Sequence, residues 1–281
     1  MQENGFDFKG HRIFYRQHGS GPDTLLLHGF PTSSYDWEKI VPIVGQHRRL
    51  LAPDFLGFGK SDKPYPYTYS LFEQADLVEA LAAHLHLKDV DLICHDYGDS
   101  VGLEIMRRQH EGKLKFKVKT CTLLNGSVYF DLVHLRLIQR LLLWPGVGSL
   151  VSRLMNRRIF GKQFAALFSP AHPISESELD QHWELLIYNN GRAVYPALNR
   201  YLDERRKYAQ KYWEPTLENL QAPLCVIWGM ADPVAVGAMA LRMQQRIPDA
   251  EVHFLDNVGH YPQLEVPDVV AEKILAFLLS H

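Results

Sequence analysis

One stretch constrains the fold more than any other: Val90-Asp91-Leu92-Ile93-Cys94-His95-Asp96-Tyr97-Gly98-Asp99-Ser100-Val101-Gly102. It opens with a short apolar run, Val90, Leu92, Ile93 and Cys94, that stops at His95. Apolar residues resume with Val101, Leu103, Ile105 and Met106, in a helical pattern. A strand passing straight into a helix leaves room only for a sharp turn, and such a strand lies in a parallel sheet buried on both faces. A polar residue on that turn stands at the C-terminal edge of the sheet, where ligands bind.

Two residues compete for the turn. Gly98-Asp99-Ser100-Val101-Gly102 is a formal G-x-S-x-G, and Asp96 lies between the small residues Cys94 and Gly98 at the same offsets. Placing Ser100 on the turn would run the strand through His95, Asp96 and Asp99, which a strand buried on both faces cannot hold without partners. The register therefore assigns Asp96 to the turn and Ser100 to the first turn of the helix. A carboxylate at this point also caps the helix, and the helix N-terminus favours its ionised form.

The rest of the chain continues the alternation. Phe6 to Tyr15 reads as a hairpin turning at Lys9-Gly10, Thr24–Leu27 and Arg49–Asp54 as strands, and Ser70–Leu87 as a helix. Another helix is expected around Asp36–Val44, and another strand over Val118–Leu124. From Ser127 to Leu217 only helical signals occur. Strands return at Pro223–Gly229 and Glu251–Leu255, ahead of a helix over Val269–Leu279. Alternation of this kind predicts an α/β fold with a doubly wound, mostly parallel sheet. The domains expected are a core from residues 1–126 and 218–281 and an inserted helical cap from 127–217, roofing an apolar pocket.

Composition narrows the function. A net charge of −2 over 281 residues gives no sign of a nucleic-acid partner. The three cysteines, Cys94, Cys121 and Cys225, lie in apolar segments and fit no zinc spacing. They read as reduced core thiols, hence a cytoplasmic setting. The chain shows no signal-peptide pattern, and no apolar run approaches the roughly 20 residues of a membrane span.

Four strand ends carry chemistry-bearing residues. Asp96 follows one, Asp232 in Gly229-Met230-Ala231-Asp232-Pro233 the next, and His260 in Asn257-Val258-Gly259-His260 the last. His28-Gly29-Phe30-Pro31 follows the first central strand, and the backbone N–H of Phe30 would pair with that of Tyr97 as an oxyanion hole. The order nucleophile, acid, histidine is that of the α/β-hydrolase architecture. An aspartate nucleophile is ionised at neutral pH and needs no base to displace a leaving group at an sp³ carbon. The product is an alkyl–enzyme ester. His260, oriented by Asp232, then activates a water to hydrolyse it. This chemistry suits epoxides or alkyl halides and needs neither metal nor organic cofactor.

His28-Gly29-Phe30-Pro31 and His95-Asp96-Tyr97-Gly98 resemble the HGFP and HDWG motifs of epoxide hydrolases, in the epoxide-hydrolase and haloalkane-dehalogenase branch of the α/β hydrolases. Haloalkane dehalogenases usually carry Asn or Glu at the Phe30 position and Trp at the Tyr97 position, so both usual halide donors are missing. A fuller resemblance is to the mesoderm-specific transcript subgroup. It runs through His28–Trp37, Asp54–Pro64, His95–Asp99 and His260–Glu265. In the cap, Ala197-Leu198-Asn199-Arg200-Tyr201-Leu202-Asp203-Glu204-Arg205-Arg206 resembles the epoxide-hydrolase segment bearing one of two ring-opening tyrosines, which implies that role for Tyr201. His28 and Trp37 join it as expected substrate contacts. The second tyrosine has no match, because Phe160 to Phe168 offers only phenylalanines, and Tyr129, Tyr188 and Tyr195 remain unranked.

Asp99 departs from the family's small residue. It is read as solvated, as paired with Arg107 or Arg108, or as buried and coupled to Asp96. Arg136, Arg140, Arg153, Arg157 and Arg158 lie among Leu and Trp and read as a solvated amphipathic face, with peripheral membrane contact as the alternative. The expected partner is a small, apolar substrate; its identity and the oligomeric state stay open. The rival functions are a haloalkane dehalogenase, a serine esterase using Ser100, and a non-catalytic binding protein on a hydrolase scaffold.

Overall fold

The computed structural model describes residues 1–281. Eight strands build one sheet: β1 (Gln2–Phe8), β2 (His11–His18), β3 (Asp23–Leu27), β4 (Arg49–Pro53), β5 (Asp89–His95), β6 (Lys117–Leu124), β7 (Leu224–Gly229) and β8 (Glu251–Leu255). Their spatial order is β1-β2-β4-β3-β5-β6-β7-β8. The pairs β1–β2 and β2–β4 are antiparallel, and every pairing from β4 to β8 is parallel. The expected α/β architecture is the observed one. At the first hairpin Lys9 and Gly10 both have positive φ, 53° and 81°, which suits the twist of a two-residue turn.

The central strands are apolar on both faces. Leu25 and Leu27 of β3 and Leu92 and Cys94 of β5 pack on one side with the helices Leu71–His84 and Tyr97–His110. Leu26 and Ile93 point to the other side, against Trp37, Ile40 and the helix Pro267–Ser280. Period-two alternation thus serves two cores at once.

The helix expected around Asp36–Val44 is two pieces. A 3₁₀ turn, Ser34–Trp37, is capped by Ser33, and a separate short helix, Val41–Val44, begins around Pro42. Proline lacks the N–H that a continuous helix would need. The next helix is Leu71–His84, with Ser70 as its N-cap, and His86 at positive φ follows its end.

Between β6 and β7 the chain is helical. Leu137–Leu143, Val147–Leu154, Arg157–Ala165, Glu176–Ile187, Gly191–Leu198 and Tyr201–Tyr208 are its main helices. Contacts such as the Arg205 bonds to Asp96 and Ser100, and the Leu167 carbonyl that accepts from His260 N, bring this block down onto the strand ends.

Candidate active site

The turn after β5 is tight. Asp96 sits at φ 47°, a left-handed conformation that strains an L residue, and the helix Tyr97–His110 starts at the next residue. A side chain on Gly98 would come within 2.1 Å of the Leu27 carbonyl oxygen of β3, and one on Gly102 within 2.6 Å of Cys94 Sγ. Both glycines are required by close packing around the Asp96 turn. That accounts for the G-x-S-x-G string without a nucleophilic serine.

Asp96 is buried at the base of an apolar pocket of ≈ 60 Å³, shared with His260, Phe30, Tyr195, Phe164 and Ile138. Its Oδ2 accepts a hydrogen bond from Phe30 N at 2.9 Å. Its Oδ1 makes no hydrogen bond and lies 3.8 Å from Arg205 Nη1.

His260 follows β8, and its Nδ1 lies 2.7 Å from Asp232 Oδ2. Asp232 is itself held: Asn125 Nδ2 donates to Oδ2 at 2.8 Å, and Val234 N and Ala235 N donate to Oδ1 at 2.7 and 3.1 Å. Burial alone would lower the His260 pKa, but the charge and hydrogen bond of Asp232, helped by Asp96, raise it to about 9. His95 Nε2 sits 2.8 Å from the His260 carbonyl oxygen, and Glu265 accepts from Gly259 N, Tyr261 N and Ser169 N, pinning the histidine loop.

The structure brings Asp96, Asp232, His260, Phe30 and Tyr97 together. The Tyr97 ring packs on Phe55 and Phe58, so only its backbone N–H remains for a site role. Tyr201, expected as a substrate contact, is buried beside Asp96 but does not line the pocket; its ring lies 5.0 Å from the Tyr97 ring and 5.5 Å from the Phe30 ring. Burial, then the Asp96 charge, raises its phenol pKa. Tyr195 lines the pocket, stacked on Phe30 at 5.1 Å, and burial raises its phenol too. The alternatives rank themselves: Tyr129 is buried under Arg242, and Tyr188 is exposed.

Two further expected substrate contacts are corrected. His28 does not line the pocket. Its Nε2 accepts from Phe55 N at 3.1 Å and its Nδ1 faces the Gly29 carbonyl at 2.8 Å, so both ring nitrogens are engaged in the fold. Trp37 is fully buried in the core on the opposite side of the sheet. Both follow a strand end, but their side chains pack into the protein.

Asp99 is fully buried and neither of its oxygens has a hydrogen-bond partner. Burial, then the Asp96 charge, raises its pKa well above the ordinary 3.8, which favours the neutral acid. It is neither solvated nor paired with Arg107 or Arg108, which bind Glu104.

Arg205 went unrecognised in the sequence. From the helix Tyr201–Tyr208 it is fully buried, its Nε donating to Ser100 Oγ at 2.6 Å and its Nη2 to the Asp96 carbonyl at 2.7 Å. Its guanidinium covers the Tyr201 ring at 4.8 Å. Ser100 is outside the pocket lining, with its hydroxyl oxygen taken. Asn125 was also missed, although its place after β6 marks it as a strand-end polar residue. Of possible metal ligands, Cys225, Glu251 and His253 come within 4.8 Å on β7 and β8, apart from the pocket, but burial keeps the Cys225 thiol protonated.

The alpha/beta hydrolase family model matches residues 24–273. The chain is 42% identical over 271 residues to the protein LipZ of Mycobacterium tuberculosis, covering 96% of this chain and 93% of LipZ. It is 39% identical over 286 residues to the human mesoderm-specific transcript homolog protein, covering 98% of this chain and 85% of the relative. Among solved structures, haloalkane dehalogenase DbeA from Bradyrhizobium elkani superposes with a TM-score of 0.85 at 23% identity, covering 99% of this chain and 98% of DbeA, a likeness of fold.

Proposed function

The chain belongs to the alpha/beta hydrolase family, and we propose that it is an epoxide-hydrolase-like enzyme with Asp96 as nucleophile, acting on a small apolar substrate. Phe30 N holds Asp96 Oδ2, which leaves Oδ1 to attack a ring carbon. The carbon–oxygen bond of the ring breaks, and the ring oxygen takes a proton from Tyr195 or Tyr201. Both phenols are raised by burial, so they are protonated at neutral pH. His260 then takes a proton from water, and the hydroxide adds to the ester carbonyl of Asp96. The N–H groups of Phe30 and Tyr97 carry the oxyanion until it collapses, releasing the diol and restoring the carboxylate. Before it acts, the resting imidazolium gives its proton through solvent to the phenolate, so the proton it then takes from water restores the resting state.

The raised His260 pKa supports this order of events. A protonated imidazolium is no base. Alkylation turns Asp96 into a neutral ester and removes one of the charges that hold the His260 proton. Losing that charge lowers the His260 pKa, the direction base catalysis needs, while Asp232 remains the larger influence.

The carrying observation is the contrast between the two candidate nucleophiles. Asp96 lines the pocket with an oxyanion-hole N–H on one oxygen, while Ser100 lies outside the lining under Arg205. In this reading residues 127–217 are the cap domain and 1–126 with 218–281 the core. The buried free thiols of Cys94, Cys121 and Cys225 support a cytoplasmic setting.

Intact-mass and peptide mass spectrometry of the His260→Gln variant with epoxides and haloalkanes tests the proposal. The expected result is an epoxide adduct on Asp96 that persists because its hydrolysis lacks the base. An adduct formed only from haloalkanes, with halide release, would make the enzyme a dehalogenase. Labelling of Ser100 by an ester or fluorophosphonate probe would overturn the aspartate mechanism.

A further inference from the structure

The helical hairpin Leu137–Leu143 and Val147–Leu154 turns Leu142, Ile138 and Val151 onto the core but leaves other large apolar side chains in solvent. In the second helix the inward residues are small: a side chain on Gly148 would strike the Leu142 carbonyl, and Ser152 Oγ bonds to the Arg192 carbonyl. Helical spacing puts Val147, Leu150, Val151 and Leu154 on one stripe. Leu150 is 57% exposed and Leu154 64%. Trp144, just after the first helix, is 64% exposed, and Leu137 at its start 71%. A packed surface helix normally turns such a stripe inward, and clustered large apolar side chains mark an interaction face.

Charge says what it meets. From Leu132 to Ser175 the chain has no Asp or Glu and six Lys or Arg residues, in a protein of net charge −2. Arg157 is paired with Glu176 and Asp180, but Arg140, Arg153, Arg158 and Lys162 are exposed and make no ion pair. Exposed Leu and Trp among unpaired basic residues match an anionic lipid surface, whose acyl boundary takes the apolar side chains and whose headgroups take the charges. The hairpin borders the pocket: Arg136 and Ile138 line it, together with Ile159, which is 43% exposed.

We infer that the hairpin 137–154, with Ile159 beside it, is a docking surface for anionic membranes and opens the pocket toward the bilayer. An apolar substrate dissolved in lipid then reaches the pocket without crossing water. This surface acts whatever bond the enzyme cleaves.

Flotation of the full-length protein with vesicles tests it. The wild type binds vesicles of phosphatidylcholine and phosphatidylglycerol in equal parts, does not bind phosphatidylcholine alone, and is released by salt. Leu150→Ser/Leu154→Ser and Arg140→Glu/Arg153→Glu each lower partitioning at least about tenfold. Leu241→Ser, at an exposed apolar position elsewhere, leaves it unchanged. Brominated lipids quench wild-type fluorescence, and Trp144→Phe removes that quenching while retaining the fold by circular dichroism. No binding to anionic vesicles at low salt, or binding indifferent to both double variants, overturns the inference. So does a concentration-dependent dimer by sedimentation that Leu150→Ser/Leu154→Ser abolishes, for then the stripe joins two copies of the chain.

Discussion

Arg205 Nη2 donates to the backbone carbonyl of Asp96 at 2.7 Å, from a helix more than a hundred residues further along the chain. The same guanidinium bonds Ser100 and approaches Asp96 Oδ1, so one side chain ties the helical block to the turn that carries the proposed nucleophile. Its cost in desolvation is offset by the two hydrogen bonds of Nε and Nη2 and by the Asp96 charge, while Nη1 has no hydrogen-bond partner.

Replacing Arg205 by Met leaves the Asp96 carbonyl and Ser100 hydroxyl without their donor and removes the cation beside a buried carboxylate. We expect a loss of about 3–5 kcal/mol in urea unfolding, together with slower formation of the Asp96 adduct. Arg205→Lys does not restore the rate, because an ammonium cannot span the Ser100 hydroxyl and the Asp96 carbonyl in the fork geometry of a guanidinium. Ser100→Ala keeps the adduct rate within a few-fold. A lysine variant as active as the wild type would reduce Arg205 to a simple counter-charge.

Tyr195 and Tyr201 come from adjoining helices and both approach the Phe30 wall. The double variant Tyr195→Phe/Tyr201→Phe should lose about 10²–10⁴ in single-turnover epoxide opening, with each single variant losing less. Binding of a non-reactive amide analogue separates positioning from acid catalysis. A double variant that opens epoxides at the wild-type rate would remove both phenols from the mechanism.

The raised His260 pKa predicts a definite pH response. A folded value of about 9 against 6.5 for the free imidazole means that protonation favours the folded state. That contribution is complete below pH 6.5 and is lost as pH rises to about 9. Denaturant stability should therefore decline over this window by on the order of a few kcal/mol, and His260→Gln should flatten the decline. Measuring the variant against the wild type cancels His28 and His182, which burial pushes the other way. In pre-steady-state kinetics, adduct formation stays level across the window while ester hydrolysis follows the neutral imidazole.

Asp99 behaves oppositely to a paired carboxylate. Its pKa is raised in the fold, so its contribution is full only below the ordinary value of 3.8 and stability is lost as pH rises above it. Asp99→Asn substitutes a neutral amide and should raise the melting temperature at pH 7, with the gain shrinking toward pH 4. A lower melting temperature at pH 7 would mean that the acid makes a hydrogen bond the amide cannot copy.

What the sequence determined by itself was local in origin. An apolar strand, one polar turn residue and a following helix are neighbours along the chain, so the Asp96 turn could be read without any knowledge of packing. The order of Asp232 and His260 was equally legible, because parallel strands present their C-terminal ends to one edge. Tertiary structure decided the rest. Arg205 stands in Asp203-Glu204-Arg205-Arg206 like any solvent-facing charge, and only the fold buries it against Asp96 and Ser100. Trp37 and His28 follow strand ends as the site residues do, yet a strand end does not say into which core its neighbours turn. Tyr195 became the pocket phenol by where its helix lands, not by any motif. Arg136, Arg140, Arg153, Arg157 and Arg158 among Leu and Trp read as an amphipathic face, but only packing shows that Leu150 and Leu154 also meet solvent.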